Sequence, residues 1–268
     1  MFEDDIEIIK RDVEGIILII SCQKHKNTRL KEFALPKDNY NGWEVVYVVG
    51  DLSSKYRYMF QGNLLTINCE DSYIHLLKKV ILAIEILYQN FNIKQGILRC
   101  GDDLIFNEEN LLKFLQSEDK KDYMGYDAMN VLMLLGQQYS FDKPIQVCID
   151  HFMLAYYSQH LEDLRNPLHN LQNVDLGKYI TRPSNIPYCS GVLFYVSNKA
   201  CEDLVNHMKK INYDVFYQDP ETKSYPYSIE DCGVGFIMYK SKIHLSAYPM
   251  YQDNYNPKFI AYHTNKYR

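Results

Sequence analysis

The sequence predicts an α/β fold in which helices flank a central, mainly parallel β-sheet. Residues 15–22, 43–51 and 64–69 form apolar runs rich in β-branched side chains, as expected of strands buried on both faces. Stretches with apolar residues at helical spacing separate and follow these runs, and this alternation indicates right-handed βαβ connections. Because nothing in the 268 residues resembles a Gly/Ser-rich or Pro-rich linker, we expect a single domain.

The first half of the chain supplies four of the predicted strands. A short helix around residues 29–35 follows the first strand, and a longer helix follows the third, with Asp71 or Ser72 as its predicted N-cap. The fourth strand ends before a Gly-Asp-Asp sequence, and Asn107 is placed to cap the next helix. This part, up to about residue 120, is typical of a nucleotide-binding α/β layer. It contains neither GxGxxG nor GxxxxGK[ST], which excludes a dinucleotide fingerprint and a P-loop.

The second half has a weaker pattern at first. From 122 to 182, apolar stretches around 131–135 and 145–157 stand among polar residues. The region is either an insertion that shapes a binding surface or irregular packing. A strand over 186–198 and a helix over 199–211 follow, and the chain ends in a strand-like FIAYH and a basic TNKYR.

Charge and composition exclude several classes of protein. A formal net charge of −5 and a pI near 5.9 argue against a nucleic-acid partner, which requires clustered Lys and Arg. The acidic N-terminus does not resemble a signal peptide and no apolar run is as long as a membrane span, so we expect a soluble, cytoplasmic protein. Seven cysteines without a CxxC pair indicate reduced thiols, and abundant Tyr, Asn, Ile and Lys suggest an AT-rich genome, such as that of a virus.

The sequence QGILRCGDDLIFN places two carboxylates, Asp102 and Asp103, at the carboxyl end of the fourth strand. Adjacent carboxylates repel one another unless a cation or hydrogen bonds compensate, and hard oxygen ligands suit Mg²⁺ or Mn²⁺. In open α/β sheets this edge faces the ligand crevice. Two alternatives remain: a turn that only caps the helix from Glu108, and the metal-binding GDD hairpin of a viral RNA polymerase. A helix-like stretch after GDD disfavours the hairpin.

A second acidic pair, Glu230 and Asp231, lies in the sequence SIEDCGVG. It is read either as a turn that contributes a reacting carboxylate or as a helix N-terminus whose dipole the acidic residues complement. Gly233 and Gly235 are expected to let the turn lie close to a bound sugar. Gly191, in YCSGVLFYVS, allows close backbone approach to a ligand or merely a tight turn.

Taken in order, EDSYIHLLKK, GDDLIFN, YCSGVLFYVS and IEDCGVG resemble segments of the β1,3-glycosyltransferase family, which includes the fringe enzymes and the β1,3-galactosyl- and β1,3-N-acetylglucosaminyltransferases. The resemblance extends over most of the chain except 122–182. It implies a GT-A fold with a nucleotide-sugar-binding half at about 12–120 and an acceptor and catalytic half at about 183–268. One position departs from the family, because Gly101 stands where the first Asp of the metal motif is usual.

The resemblance also implies the reaction and its residues. A sugar, which could be galactose, N-acetylglucosamine or glucose, would pass with inversion from a UDP-sugar to a hydroxyl of an acceptor glycan, forming a β1,3 linkage and requiring Mn²⁺ or Mg²⁺. Asp103 and His263 match the metal ligands, and Asp231 matches the general base. The remaining matches are donor contacts at Ser21, Arg29, Asp51, Lys79 and Asp102, and sugar or acceptor contacts at Ser190, Gly191 and Glu230. From the residues alone, the first four of the donor contacts, at positions 21, 29, 51 and 79, are equally solvated surface groups, and His263 is equally a tail residue without a partner.

The departure at Gly101 motivates the main alternative function. A chain without the first Asp of the motif could be a catalytically inactive protein that binds a nucleotide sugar or a glycan on the same scaffold. Slow hydrolysis of a UDP-sugar in Mn²⁺ would distinguish the two, because an inactive site leaves the donor intact.

Overall fold

The computed structural model describes residues 10–128 and 140–263. The apolar stretch at 131–135 and the basic TNKYR lie outside these residues. Within them the strands are β1 (Arg11–Val13), β2 (Gly15–Ile20), β3 (Asn39–Tyr40), β4 (Trp43–Gly50), β5 (Tyr58–Gln61), β6 (Leu64–Ile67), β7 (Phe91–Ile93), β8 (Gly96–Gly101), β9 (Leu104–Phe106), β10 (Tyr123–Asp127), β11 (Val147–Ile149), β12 (Thr181–Pro183), β13 (Cys189–Ser197), β14 (Leu245–Ala247), β15 (Tyr251–Gln252) and β16 (Ala261–His263).

The helices of the described residues lie between these strands. They are α1 (Arg29–Glu32), α2 (Leu76–Asn90), α3 (Glu108–Gln116), α4 (His151–Gln159), α5 (Leu161–Arg165), α6 (Leu176–Tyr179), α7 (Asn198–Lys210) and α8 (Glu230–Lys240), with a 3₁₀ turn at Pro167–His169. None of them is long and apolar enough to cross a membrane.

The central sheet has nine strands and confirms the predicted α/β class. Its order is β14-β10-β13-β8-β2-β4-β6-β5, with β3 added beside β4. The middle, from β8 through β2 and β4 to β6, is parallel, whereas β13 runs antiparallel to both β8 and β10 and β5 runs antiparallel to β6. The sheet is therefore mixed, with its parallel part at the centre where continuous apolar strands predicted it.

Helices cover both faces of the sheet and divide the core in two. On one face α2, α7 and α8 pack together, and the apolar stripe of α2, which includes Leu77, Val80 and Ile84, is buried there. On the other face, Trp43 of β4 and Phe114 of α3 belong to a second apolar cluster. Strands of the central sheet are consequently buried on both sides, so their carboxyl ends are held rigidly at the edge where ligands can bind.

A small three-stranded sheet, β15-β16-β9, lies directly after the Gly-Asp-Asp sequence. In it β16 pairs antiparallel with β9, and His263 lies opposite Leu104. Asn107 then caps α3 as predicted, its side chain accepting from the amide of Asn110 at 3.2 Å. The short strand β9 between the acidic pair and α3 was not predicted, and its pairing brings the end of the chain back to Asp103.

Two local predictions were wrong. Neither Asp71 nor Ser72 caps α2, whose N-cap position is His75 without a side-chain cap hydrogen bond. The segment predicted as an acidic turn at 228–235 is the beginning of α8, with Glu230 and Asp231 in its first turn. The helix N-terminus, the alternative interpretation of this pair, is the observed structure.

Candidate active site

The parallel strands place three of the predicted donor residues at one edge of the sheet. Ser21 follows β2, Asp51 follows β4 and Asp102 follows β8, and all three strands run in the same direction. The Ser21 hydroxyl donates to Oδ2 of Asp102 at 2.6 Å, so these two residues are in direct contact. Asp51 accepts instead from the amide and hydroxyl of Ser53 and stays at the same edge without a described contact to Asp102. Its contact with the donor remains a prediction.

Two cations neutralise the Asp102 carboxylate. Arg29 donates to Oδ1 at 3.2 Å, and the Nδ1 atom of His25 lies 3.5 Å from Oδ2. Burial alone would raise the pKa of Asp102, but hydrogen bonds from His25 and Ser21 and the charge of Arg29 lower it below its usual value. The hydrogen bond to Asp102 raises the pKa of His25 to about 9. Asp102 is thus an ionised carboxylate that fixes the positive side chains of Arg29 and His25 at the carboxyl ends of the parallel strands.

Asp103 meets the other end of the chain. Its Oδ2 atom lies 3.0 Å from Nε2 of His263 and 3.2 Å from Nη1 of Arg29. The second ring nitrogen of His263 lies 3.5 Å from Asp253. His263 is 5% exposed and Asp103 is only half-buried, so the Asp103 side chain is partly open to solvent while the imidazole is buried. The structure therefore brings the two predicted metal ligands together.

A cation at Asp103 would need most of its ligands from the substrate or from water. Within residues 10–128 and 140–263, no group of three or more His, Cys, Asp or Glu is arranged to hold a metal ion. Asp103 and His263 would supply two ligands, one carboxylate oxygen and one imidazole nitrogen. Divalent cations that act on phosphate substrates are commonly bound by one or two carboxylates plus substrate oxygens and water, and a mixed oxygen and nitrogen set suits Mn²⁺ better than Mg²⁺.

Lys79 is buried behind the residues at the carboxyl ends of the parallel strands and is not itself at these ends. Its ammonium donates to the carbonyl oxygen of Ser21 at 2.7 Å and to Oδ1 of Asp71 at 2.6 Å, and the residue is 2% exposed. Asp71 also accepts from the amides of Gln23 and Gly50. This buried network ties together the loops after β2 and β4. The position of Lys79 indicates that it holds these loops, and a direct contact with the donor stays a prediction.

The second predicted carboxylate, Asp231, faces a bulge in β13 that includes Gly191. Oδ2 of Asp231 accepts from the amide of Gly191 at 3.1 Å, and Oδ1 accepts from the amide of Cys232 at 2.8 Å. Burial raises the pKa of Asp231, and the two backbone hydrogen bonds act against that increase. Asp231 is half-buried, so its carboxylate is both held in place and accessible. A carboxylate in this setting can accept a proton from a bound hydroxyl.

Glu230 is buried and paired with Arg99 of β8. The Nε atom of Arg99 lies 3.0 Å from Oε1, and Nη2 lies 3.3 Å from Oε2. Burial raises the pKa of Glu230 to about 7, although the Arg99 charge lowers it. A Cβ on Gly191 would lie 2.7 Å from Oε2 of Glu230, so the pair of Glu230 and Arg99 leaves room only for glycine at this position of the bulge. Glu230 thus joins α8 to the central sheet, and a contact with sugar or acceptor stays a prediction.

Gly233 and Gly235 do not bring the backbone close to the sugar as expected. A Cβ on Gly233 would lie 2.8 Å from a methyl group of Leu77, and one on Gly235 would lie 2.4 Å from Cβ of Tyr188. Their lack of a side chain lets α8 pack against α2 and against the segment before β13. They therefore position Asp231 indirectly, by setting how closely its helix packs.

Strand β15 connects the two acidic sites. The hydroxyl of Tyr251 donates to Oγ of Ser190 at 2.7 Å, next to Gly191 and Asp231. Two residues further on, Asp253 lies beside His263. A continuous path of contacts therefore leads from Asp231 through Ser190 and Gly191 to β15. From β15 it continues through Asp253 to His263 and Asp103. β15 and its contacts thus link the segment around Asp231 to the pair of Asp103 and His263.

Sequence reasoning missed His25, Asp71, Arg99, Tyr126 and Tyr251, all of which the structure places in or directly behind this site. A charged residue inside the apolar run ILRC was a usable signal for Arg99, because a buried charge needs a partner. His25 and the two tyrosines lie in stretches without any motif. Their roles depend on contacts between distant parts of the chain.

Comparison with known proteins bears on the family. The model of the galactosyltransferase family matches residues 46–249. No match among curated proteins reaches significance. Among solved structures, the chain is similar to mouse xyloside xylosyltransferase 1 in its apo form, with 9% identity, a TM-score of 0.45, and coverage of 95% of this chain and 98% of that chain. It is also similar to the inositol-1-phosphate CTP transferase from T. maritima, with 11% identity, a TM-score of 0.34, and coverage of 88% and 85%. Similarity at this level says nothing about chemistry, so the family match alone bears on it.

Proposed function

The chain belongs to the galactosyltransferase family and is a glycosyltransferase, and from that premise we propose that it transfers a sugar from a UDP-sugar to a hydroxyl of an acceptor glycan, with inversion and with Mn²⁺ or Mg²⁺. The observation that supports this most directly is the contact between Asp103 and His263, the two residues that match the metal ligands of the family. Asp231, held by the amide of Gly191, would lie across the bound donor from this pair. Inverting transfer requires a base on the face of the sugar opposite the leaving group. Galactose, N-acetylglucosamine and glucose are the donor sugars to test, and β1,3 is the proposed linkage.

The donor side would hold the pyrophosphate through positive groups. Arg29 and the charged form of His25 are fixed by Asp102 and lie at the carboxyl edge of the sheet, where nucleotide ligands bind in open α/β folds. Asp103 and His263 would hold the cation. When bound, the cation stabilises the negative charge that develops on the leaving pyrophosphate.

The acceptor side would supply the base. As the acceptor oxygen attacks the anomeric carbon, its proton passes to the Asp231 carboxylate, and the electron pair of the breaking glycosidic bond leaves with UDP. Burial raises the pKa of Asp231, and this suits the role because a carboxylate with a higher pKa is a stronger base. The amides of Gly191 and Cys232 fix the carboxylate in one orientation, which reduces the reorganisation needed for proton transfer.

The alternative is a catalytically inactive protein that binds a nucleotide sugar or a glycan, and Gly101 is the observation that favours it. In the described site, however, a Cβ at position 101 would lie 3.1 Å from Oδ1 of Asp103. Glycine therefore leaves room for the Asp103 carboxylate and does not break its contact with His263. Glycine at position 101, where the family usually has Asp, is therefore compatible with metal binding by Asp103 and His263.

The experiment is a panel of UDP-galactose, UDP-N-acetylglucosamine and UDP-glucose with Mn²⁺, followed by UDP release with and without neutral methyl glycosides as acceptors. We expect one donor to give release that EDTA abolishes and that an acceptor accelerates. Binding of UDP without release from any donor would favour the inactive binding protein. Absence of UDP binding would contradict the proposed transfer and the binding of a nucleotide sugar, and would leave only an inactive protein that binds a glycan.

A further inference from the structure

Strand β13 is interrupted beside the base. Phe194 lies opposite Gly125 of β10 and Cys189 lies opposite Asp127, so five residues of β13 span the length of two residues of β10. The extra residues include Ser190 and Gly191, which leave the ladder and form the bulge that contacts Asp231. Tyr126 is the β10 residue opposite this bulge, and it is 42% exposed.

Tyr126 belongs to an aromatic pair at this place. Its ring lies 5.8 Å from the ring of Tyr251, at an interplanar angle of 68°. The Tyr251 hydroxyl is bonded to Ser190, which fixes the orientation of that ring. Tyr126 thus presents a partly exposed ring beside a second ring whose orientation is fixed. The pair is thus a rigid, partly open aromatic surface one residue away from the contacts of the base.

The charges around the pair favour a neutral ligand. Burial raises the pKa of the Tyr251 hydroxyl, and the nearby charges of Asp253 and Asp231 add to that increase. Carboxylates repel phosphates and acidic sugars, whereas they accept hydrogen bonds from the hydroxyl groups of neutral sugars. The C–H face of a pyranose ring is apolar and slightly positive, and it complements the negative face of an aromatic ring.

We infer that Tyr126 and Tyr251 form the acceptor subsite and hold a neutral pyranose ring against the aromatic surface, with one of its hydroxyls directed at Asp231. This inference rests on the proposed function and names the acceptor class, a neutral glycoside. It assigns Tyr126 the stacking contact and Tyr251 the task of fixing the edge of the subsite through Ser190. Both would determine acceptor specificity and leave donor binding alone.

The test compares Tyr126→Ala with Tyr126→Phe and with a matched control. Tyr217 is 38% exposed and its ring pairs with that of Tyr227, so Tyr217→Ala removes a similarly exposed and similarly paired tyrosine elsewhere. With the donor that the panel identifies, we expect Tyr126→Ala to raise the acceptor KM about tenfold or more, by loss of aromatic contact. The control Tyr217→Ala should leave the acceptor KM, the donor KM and the acceptor-independent release of UDP unchanged. Tyr126→Phe, which keeps the ring, should resemble the wild type.

Binding measured by saturation-transfer NMR separates this inference from the proposed function. The probes are methyl β-galactoside and methyl β-glucoside, observed with the wild type, Tyr126→Ala, Tyr251→Ala and Tyr217→Ala. We expect saturation of ring C–H protons in the wild type and the control, and its loss in the other two variants. Equal acceptor KM or equal saturation in Tyr126→Ala and the wild type would overturn the subsite even if transfer occurs. Absence of saturation by both glycosides in the wild type would overturn it as well, whereas failure of UDP release alone would overturn only the proposed function.

Discussion

The Nε2 atom of His263 lies 3.0 Å from Oδ2 of Asp103, although the two residues come from opposite halves of the chain. The antiparallel pairing of β16 with β9 makes this contact, because it places His263 opposite Leu104, the residue after Asp103. The pair is the basis of the proposed metal dependence.

Removal of either member of the pair should abolish cation-dependent donor binding. We expect Asp103→Asn and His263→Ala to lose at least about tenfold in UDP affinity in Mn²⁺, and to show no further loss in EDTA. Calorimetry of UDP with and without EDTA measures this. Glu109→Gln, which neutralises an exposed carboxylate of α3, is the control and should retain full dependence on the cation. Equal UDP affinity of the wild type in Mn²⁺ and EDTA would remove the metal from the account.

His25 should make stability depend on pH in alkaline solution. Its pKa is raised from 6.5 to about 9 in the folded protein by the hydrogen bond to Asp102, so the folded state holds this proton more tightly than the unfolded state. The stabilisation is therefore complete below about pH 6.5 and is lost as the pH rises through about 9. The difference in unfolding free energy between the wild type and His25→Asn should be larger at pH 6 than at pH 10 in urea titrations, by about the linkage of one proton. A constant difference for His25→Asn would contradict the assignment.

The pair of Arg99 and Glu230 should be expensive to break. Both side chains are buried, so Arg99→Met leaves Glu230 without its cation, and Glu230 must then either stay charged in a buried place or take up a proton, at a cost of about 3–5 kcal/mol. The double variant Arg99→Met/Glu230→Gln removes the unpaired charge and should recover part of the loss. Lys113→Met breaks the exposed pair with Glu109 on α3 and should cost no more than about 1 kcal/mol. Chemical denaturation of the four proteins measures these values, and a loss in Arg99→Met as small as that in Lys113→Met would show that the buried pair contributes little.

The central strands and the acidic pair at their edge could be predicted because they depend on local pattern. The apolar run before Gly101 indicates a buried strand, and a strand that is buried on both faces must place Asp102 and Asp103 at its end. The direction of the 189–197 strand could not be predicted, since an apolar run looks the same in parallel and antiparallel pairing. That is why the mixed character of the sheet emerged only from the structure.

The partners of buried charges were equally out of reach of local rules. Asp71 has the spacing of a helix cap, but its carboxylate accepts hydrogen bonds from Lys79 and from the amides of Gln23 and Gly50. A capping propensity takes account of neighbours in sequence only and cannot predict these contacts. Tyr251 and Ser190 meet only because β15 returns beside the bulge of β13. The candidate site was therefore predictable in its carboxylates and not in the groups that hold or surround them.

The most direct test of the account is the comparison of Asp231→Asn with Asp103→Asn in the same transfer and binding assays. Removal of a general base typically lowers turnover by about 10²- to 10⁴-fold and leaves ground-state binding nearly intact. We expect Asp231→Asn to lose transfer to this extent while binding UDP and Mn²⁺ like the wild type and unfolding at a similar temperature, whereas Asp103→Asn loses cation-dependent binding itself. Near wild-type turnover by a folded Asp231→Asn would contradict the central claim that this carboxylate accepts the proton of the acceptor.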